Sequence, residues 1–239
     1  MVCTYKTMPK VFGPILIVIP AVNEEATLFD VINRCYASVD ATVLVVDDGS
    51  TDGTSDVAKG SGAIVVRHLR QMGAWRAMQT GFVYAASHGY NTVITIDADG
   101  QHHPEVLQEL LNCRNTDAEL IIGSCPGRGS LYRQFAWWLL RQLSGVQIRD
   151  LTSGLRVYSK DAIGLMIQKG ASLLEFQDLG VLMLLQQQGF KLVEKEVQMS
   201  PRTKGKSRIF FSWSRVSYYM LTTCFLCISK LNLRTRKRT

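Results

Sequence analysis

Short apolar runs rich in β-branched residues alternate along this chain with stretches patterned as helices. That alternation restricts the fold more than any other feature. Ile15–Ile19, Thr42–Val46, Ala63–Arg67, Thr92–Ile96 and Leu120–Gly123 read as buried strands. Between them, Glu24–Ala37, Gly53–Lys59, Met72–Ser87 and Pro104–Cys113 read as helices. Repeated strand-helix-strand units predict an α/β fold, a mostly parallel sheet with helices on both faces. Pro104 suits the first turn of a helix, with His102 or His103 near the cap. After Gly123 the pattern loosens. Leu131–Ser144 and Asp178–Gln188 read as helices, Leu155–Tyr158 and Lys191–Val197 as strands, and no internal repeat or long linker interrupts them.

The chain has 239 residues, 46% of them hydrophobic, enough for one sizeable globular domain, or one domain with an appendage. Disorder is excluded by the steady recurrence of aliphatic and aromatic residues. The net charge of +7 is unevenly spread. Pro201–Thr239 holds ten Lys and Arg and no acid, which leaves 17 basic against 20 acidic residues elsewhere. A mildly acidic body with a basic tail could meet nucleic acid, anionic lipid or a phosphorylated ligand. Six scattered cysteines suit a reducing compartment. Cys224-x-x-Cys227 has no second pair and no nearby His, and reads as buried packing rather than a zinc or redox site. Val11–Val22 follows two lysines like a signal peptide. Pro14 and Pro20 interrupt it, however, and no small-residue cleavage site follows, so a first buried strand is expected.

In open sheets of this kind, ligands bind beyond the carboxyl ends of the strands. Three expected strands end in polar signatures: Pro20-Ala-Val-Asn-Glu24, Asp47-Asp48-Gly49-Ser50 and Asp97-Ala98-Asp99-Gly100-Gln101. Asp97, Asp99 and Gln101 offer oxygen donors at alternate positions. Such a set suits Mg²⁺ or Mn²⁺ with a substrate phosphate completing the shell. The same residues would equally make an Asx turn before a helix. Asp47 and Asp48 exceed what a helix cap needs, and a carboxylate there could accept from a base N–H or a ribose hydroxyl. The loop Pro201–Arg208 carries four cations, a Gly and a Ser. It is either a solvated loop or a phosphate grip. Neither a P-loop nor a Gly-x-Gly-x-x-Gly fingerprint is present, which argues against a P-loop ATPase and a dinucleotide enzyme.

Taken together, Ile19-Pro-Ala-Val-Asn-Glu24, Val45-Val-Asp-Asp-Gly-Ser-Thr-Asp-Gly-Thr54, Asp97-Ala-Asp-Gly-Gln-His-His-Pro104, Asp150-Leu-Thr-Ser-Gly-Leu-Arg156, Glu175-Phe-Gln177 and Arg202-Thr-Lys-Gly-Lys-Ser207 span residues 14 to 208. In these motifs the chain resembles family-2 glycosyltransferases of the GT-A, Rossmann-like fold, and most closely the dolichyl- and polyprenyl-phosphate mannose or glucose synthases. The resemblance implies an inverting transferase moving a hexose from a GDP- or UDP-sugar to polyprenyl phosphate, with no nucleic-acid partner. It implies that Pro20, Glu24 and Asp47 border the nucleoside, with Asp48 behind them. Asp97, Asp99 and Gln101 would hold the divalent cation, with Asp97 also toward the donor and Asp99 catalytic. Arg202, Lys206 and Ser207 would grip the acceptor phosphate, and Asp150 and Arg156 would shape the acceptor side. Where many relatives have Gly-Ser-Arg, this chain has Gly123-Ser124-Cys125, so Arg128 or Arg133 becomes the candidate for the missing cation. Ala21 stands where an aromatic residue is common.

A phosphate acceptor is already ionised at neutral pH and needs no strong base. A sugar hydroxyl would need one, and Asp178 is then the nearest candidate. The alternatives are therefore transfer to a saccharide hydroxyl, or a catalytically weak scaffold that binds nucleotide-sugar at a membrane. Ile209–Ile228 is dominated by aromatic and aliphatic residues with a narrow polar stripe, and a basic cluster ends the chain. Its longest uncharged run, Val216–Ile228, is short of the ~20 residues needed to span a bilayer. An amphipathic helix lying on an anionic membrane surface is expected over 209–239, appended to a transferase domain over 1–208, on the cytoplasmic face of a membrane.

Overall fold

A computed structural model of the chain describes residues 13–113, 117–127, 131–172, 174, 178–200 and 222–223. Seven strands form one sheet: β1 (Ile15–Ala21), β2 (Thr42–Asp47), β3 (Ile64–Arg67), β4 (Thr92–Thr95), β5 (Leu120–Ser124), β6 (Arg156–Ser159) and β7 (Leu192–Glu196). Their spatial order is β3-β2-β1-β4-β6-β5-β7.

The central strands are apolar throughout because both sheet faces are covered, as parallel sheets require. Side chains alternate between the two faces. Leu16 and Val18 of β1, with Leu44 and Val46 of β2, enter one core layer. There they meet Trp75, Met78 and Phe82 of α3 (Ala74–Ser87), Trp137 and Leu140 of α5 (Leu131–Ser144), and Leu179 and Leu182 of α8 (Leu179–Gln187). Ile17, Ile19, Val43 and Val45 enter the opposite layer. Their partners are Leu28 and Ile32 of α1 (Glu25–Ser38), Ala58 of α2 (Thr54–Gly60) and Leu107, Leu110 and Leu111 of α4 (Leu107–Cys113). The expected two-sided α/β architecture is present.

Two features depart from the expected regularity. Pro104–Val106 is a single 3-10 turn, with His103 at its cap, ahead of α4. Two short helices also occupy a stretch without a clear sequence pattern, α6 (Lys160–Met166) and α7 (Lys169–Ser172). Ser159 caps α6 by accepting from the Ala162 backbone N–H at 3.2 Å.

Strand direction positions the site. β1 pairs in parallel with β2 and β4, so all three end at the same edge. β6 runs antiparallel to both neighbours, with Thr95 opposite Arg156. The segment after α5 reaches the sheet at its carboxyl edge, and β6 runs back from there. Ser153 and Gly154, just before β6, therefore lie beside the end of β4. Among the described residues no helix is long and apolar enough to cross a membrane.

Candidate active site

The first two loops at this edge are bonded into one unit. Asn23 adopts φ 53°, a left-handed conformation that Asn tolerates better than most residues. From there its side-chain oxygen accepts from the Thr51 N–H at 2.8 Å, and its own N–H donates to Ser50 Oγ at 3.0 Å. Glu24 precedes α1, and its N–H donates to Thr54 Oγ1 at 2.9 Å. Pro20 and Glu24 are both partly exposed at the rim.

The paired aspartates that follow β2 face inward. Asp47 is fully buried. It accepts from Ser50 N–H at 2.8 Å and from the Ser55 hydroxyl, and Arg67 Nη1 lies 3.4 Å away. Burial would raise its pKa, but the Ser50 and Ser55 hydrogen bonds and the Arg67 charge outweigh burial and hold the carboxyl below the usual range. Asp48 is 3% exposed and grips the loop after β3. It accepts from the N–H groups of Met72 at 2.8 Å and Gly73 at 2.7 Å, and pairs with His68 Nδ1 at 2.8 Å. The His68 ring continues to Thr80 Oγ1 at 2.9 Å. Gly49, at φ 73°, presses on this loop: a Cβ there would lie 3.0 Å from the Arg70 carbonyl carbon. Both carboxylates thus build the floor of the edge: Asp47, expected to border a nucleoside, and Asp48, expected behind it, both sit beneath its surface.

The loop after β4 is different. Its Asp97 side chain is 39% exposed, and Asp99 and Gln101 are partly exposed. Asp99 Oδ1 accepts from the Gln101 N–H at 3.1 Å, so the Asx turn allowed by the sequence is made. The loop is tied down on three sides. Thr27 Oγ1 of α1 donates to the Ala98 carbonyl at 2.8 Å. Thr95 Oγ1 donates to the Gly154 carbonyl at 2.7 Å. His102 forms an antiparallel bridge with Met199, and the Ser200 N–H donates to the Gln101 carbonyl at 2.9 Å. The Asp97 carboxylate lies against Gly154, where a Cβ would fall 2.6 Å from its Cγ and closer still to both oxygens.

The segment carrying Gly154 is itself anchored. Asp150 is fully buried, accepts from the Thr152 N–H at 3.1 Å and from the Cys125 N–H at 3.2 Å, and donates its own N–H to Glu194 at 2.9 Å. Arg156 is also fully buried and donates to the carbonyls of Ser153 at 2.9 Å and Leu151 at 3.0 Å. Asp150 and Arg156, expected on the acceptor side, are both buried and hold the 150–156 turn. Asp178 precedes α8, 8% exposed. Burial pushes the Tyr158 phenol up, Arg156 opposes that, and the Asp178 charge adds to the rise, so Asp178 lies within electrostatic reach of Tyr158.

Arg128, Glu175, Gln177, Arg202, Lys206, Ser207, the Cys224–Cys227 pair and all but two residues of the expected C-terminal helix lie outside the described residues. Arg133 falls on α5, but its side chain is outside them. Thr27 and His68 were not singled out from sequence, and His102 was read only as a cap candidate, a place that His103 takes. The partners of Thr27 and His68 stand 71 and 20 residues away, and no short motif links them.

The donor set of this loop fits a small divalent cation. Two carboxylates and an amide oxygen are partly exposed, and Gly154 leaves room for one of the carboxylates. Among the described residues no group of three or more His, Cys, Asp and Glu is arranged to hold a metal alone. An ion such as Mg²⁺ takes few protein ligands and keeps places for substrate phosphates, so these three oxygen donors are enough.

Several known proteins resemble this chain in sequence or in fold. Polyprenol monophosphomannose synthase of Mycolicibacterium smegmatis is 33% identical over 165 residues, 62% of this chain and 62% of that protein. Undecaprenyl-phosphate mannosyltransferase of Micrococcus luteus is 33% identical over 172 residues, 62% of this chain and 68% of its own length. The chain thus spans under two thirds of the first relative. Glucosyl-3-phosphoglycerate synthase from Mycobacterium tuberculosis, solved with Mn²⁺, uridine diphosphate and phosphoglyceric acid, superposes with a TM-score of 0.63 at 23% identity. That match covers 89% of this chain and 78% of the other, and shows a shared GT-A fold. The glycosyl transferase family 2 profile matches residues 16–165. The matched span starts in β1, ends in α6 and takes in the rim, the inward-facing aspartates, the Asp97–Gln101 loop and the turn that cradles it, so the chain belongs to glycosyl transferase family 2.

Proposed function

We propose that this chain transfers a hexose from a nucleotide-sugar to polyprenyl phosphate, with inversion at the anomeric carbon. The observation that carries the reading is the Asp97–Gln101 loop. It is partly exposed at the carboxyl edge of the sheet and braced by α1, by the turn before β6 and by the Met199–Ser200 segment. The names of the Mycolicibacterium and Micrococcus relatives support polyprenyl phosphate as the acceptor class.

In this reading Asp97, Asp99 and Gln101 would hold a divalent cation, which when bound supplies positive charge to the leaving nucleoside diphosphate. Pro20 and Glu24 border the nucleoside, while Asp47 and Asp48 keep the two rim loops in place. Arg202, Lys206 and Ser207, with Arg128 or Arg133, orient the acceptor phosphate. Holding two anions in line is the main task, because the acceptor oxygen is already a nucleophile. Asp150 and Arg156 act by fixing the turn at 150–156, and Asp178 becomes a base only if the acceptor is a hydroxyl. Residues 209–239 hold the enzyme at the membrane surface where its acceptor resides.

A panel of GDP-mannose, UDP-glucose and UDP-N-acetylglucosamine against polyprenyl phosphate and free oligosaccharides, with Mg²⁺ or Mn²⁺, tests the proposal. Product is expected only with the lipid phosphate. Transfer confined to sugar hydroxyls would overturn the acceptor assignment.

A further inference from the structure

His102 is 1% exposed, and neither ring nitrogen has a hydrogen-bond partner among the described residues. A buried imidazole without partners is costly, so such a group needs an explanation. The ring hangs from a fixed stretch of backbone. Its backbone is pinned by the bridge to Met199, and the neighbouring Gln101 carbonyl accepts from Ser200. Its Nε2 points to one place of interest, Asp97 Oδ2, at 3.5 Å. That is slightly long for a hydrogen bond and within reach of one after a small adjustment.

The opposite side of the same carboxylate is walled by Gly154. Asp97 therefore sits between a glycine that leaves it space and an imidazole that can donate to it. We propose that His102 is a positioning residue: its Nε2–H holds Oδ2 of Asp97 and leaves the other oxygen turned toward the cation. This inference rests on the reading of Asp97 as a cation ligand. Ligating carboxylates are commonly oriented by a donor behind them, and losing such a donor weakens metal binding by about 10–100-fold.

The test uses the full-length chain and Mn²⁺ binding in the presence of UDP or GDP, followed by electron paramagnetic resonance. His102→Leu removes the donor and keeps an apolar filling. His102→Gln keeps an N–H close to the place of Nε2. Leucine should weaken Mn²⁺ binding by about tenfold or more, and glutamine should restore most of it. The KM for Mn²⁺ should rise in His102→Leu while kcat at saturating Mn²⁺ stays near that of the parent. A residue that merely fills space would behave the opposite way, since leucine suits a buried site better than glutamine. Unchanged Mn²⁺ affinity in His102→Leu, or equal loss in both variants, overturns the inference. Should His102→Leu fail to fold, His102→Met makes the same comparison. Asp97→Asn separates the two ideas. If it abolishes Mn²⁺ binding while His102→Leu leaves Mn²⁺ affinity unchanged, the cation reading stands and the role of His102 falls. If the parent chain binds no Mn²⁺ with either nucleotide, both fall together.

Discussion

Gly154→Ala places a single methyl where the Asp97 carboxylate now lies. The new Cβ would fall 2.6 Å from Asp97 Cγ. Carbon atoms in contact prefer about 3.5–4.0 Å, so something must move by roughly 1 Å. The Gly154 backbone lies outside the left-handed region, so alanine brings no backbone strain and the effect is the clash alone. The Asp97 side chain is short, but it is 39% exposed and can swing outward. The stability loss should therefore stay at the low end of the ~1–3 kcal/mol typical of overpacking. The functional loss should be much larger, because a misplacement of about 1 Å can lower a rate roughly a hundredfold. Urea denaturation and hexose transfer measured on the same preparation separate the two effects. A folded Gly154→Ala chain with turnover within about threefold of the parent would refute the reasoning, since a hundredfold loss is expected.

Three other outcomes follow from the same geometry. Asp48→Ala strands three donors, the N–H groups of Met72 and Gly73 and the His68 ring. It should cost about 3 kcal/mol in urea denaturation, given about 1–3 kcal/mol for each buried group left unpaired, with some relief by water. Asp47 has a carboxyl pKa held below its usual value. Its contribution to stability is present above the unfolded pKa of about 3.9 and is lost as pH falls through the lower folded value. Asp47→Asn should accordingly flatten the loss of stability below about pH 4 in acid titrations. A chain ending at Arg208 keeps every described strand, since β7 ends at Glu196. It should stay folded, lose sedimentation with anionic vesicles, and still use a short soluble isoprenyl phosphate.

Much of the sheet was legible because strands buried on both faces are written as continuous apolar runs, and the seven expected strands lie within two residues of the observed ones. The direction of β6 was not legible, because a strand of four residues reads the same in either direction. That direction is what carries Gly154 to Asp97. α7 escaped notice because its four residues are too few to show a helical period, and α6 because it follows β6 directly, with Ser159 both ending the strand and capping the helix. The exposed Asp97 and the buried Asp47 look alike as acidic strand ends. What separates them is burial: Ser50, Ser55 and Arg67 enclose one, while the other is 39% exposed beside a glycine. Thr27, 71 residues from the carbonyl it holds, could be found only in three dimensions.

The most direct test of the central claim is hexose transfer to polyprenyl phosphate by the parent and by Asp99→Ala, each with Mn²⁺ and with excess chelator. The proposed cation role predicts that chelation and Asp99→Ala each lower turnover by orders of magnitude, with no further loss when combined and with the circular dichroism of the parent retained. Undiminished turnover in chelator, or full activity of folded Asp99→Ala, would contradict it.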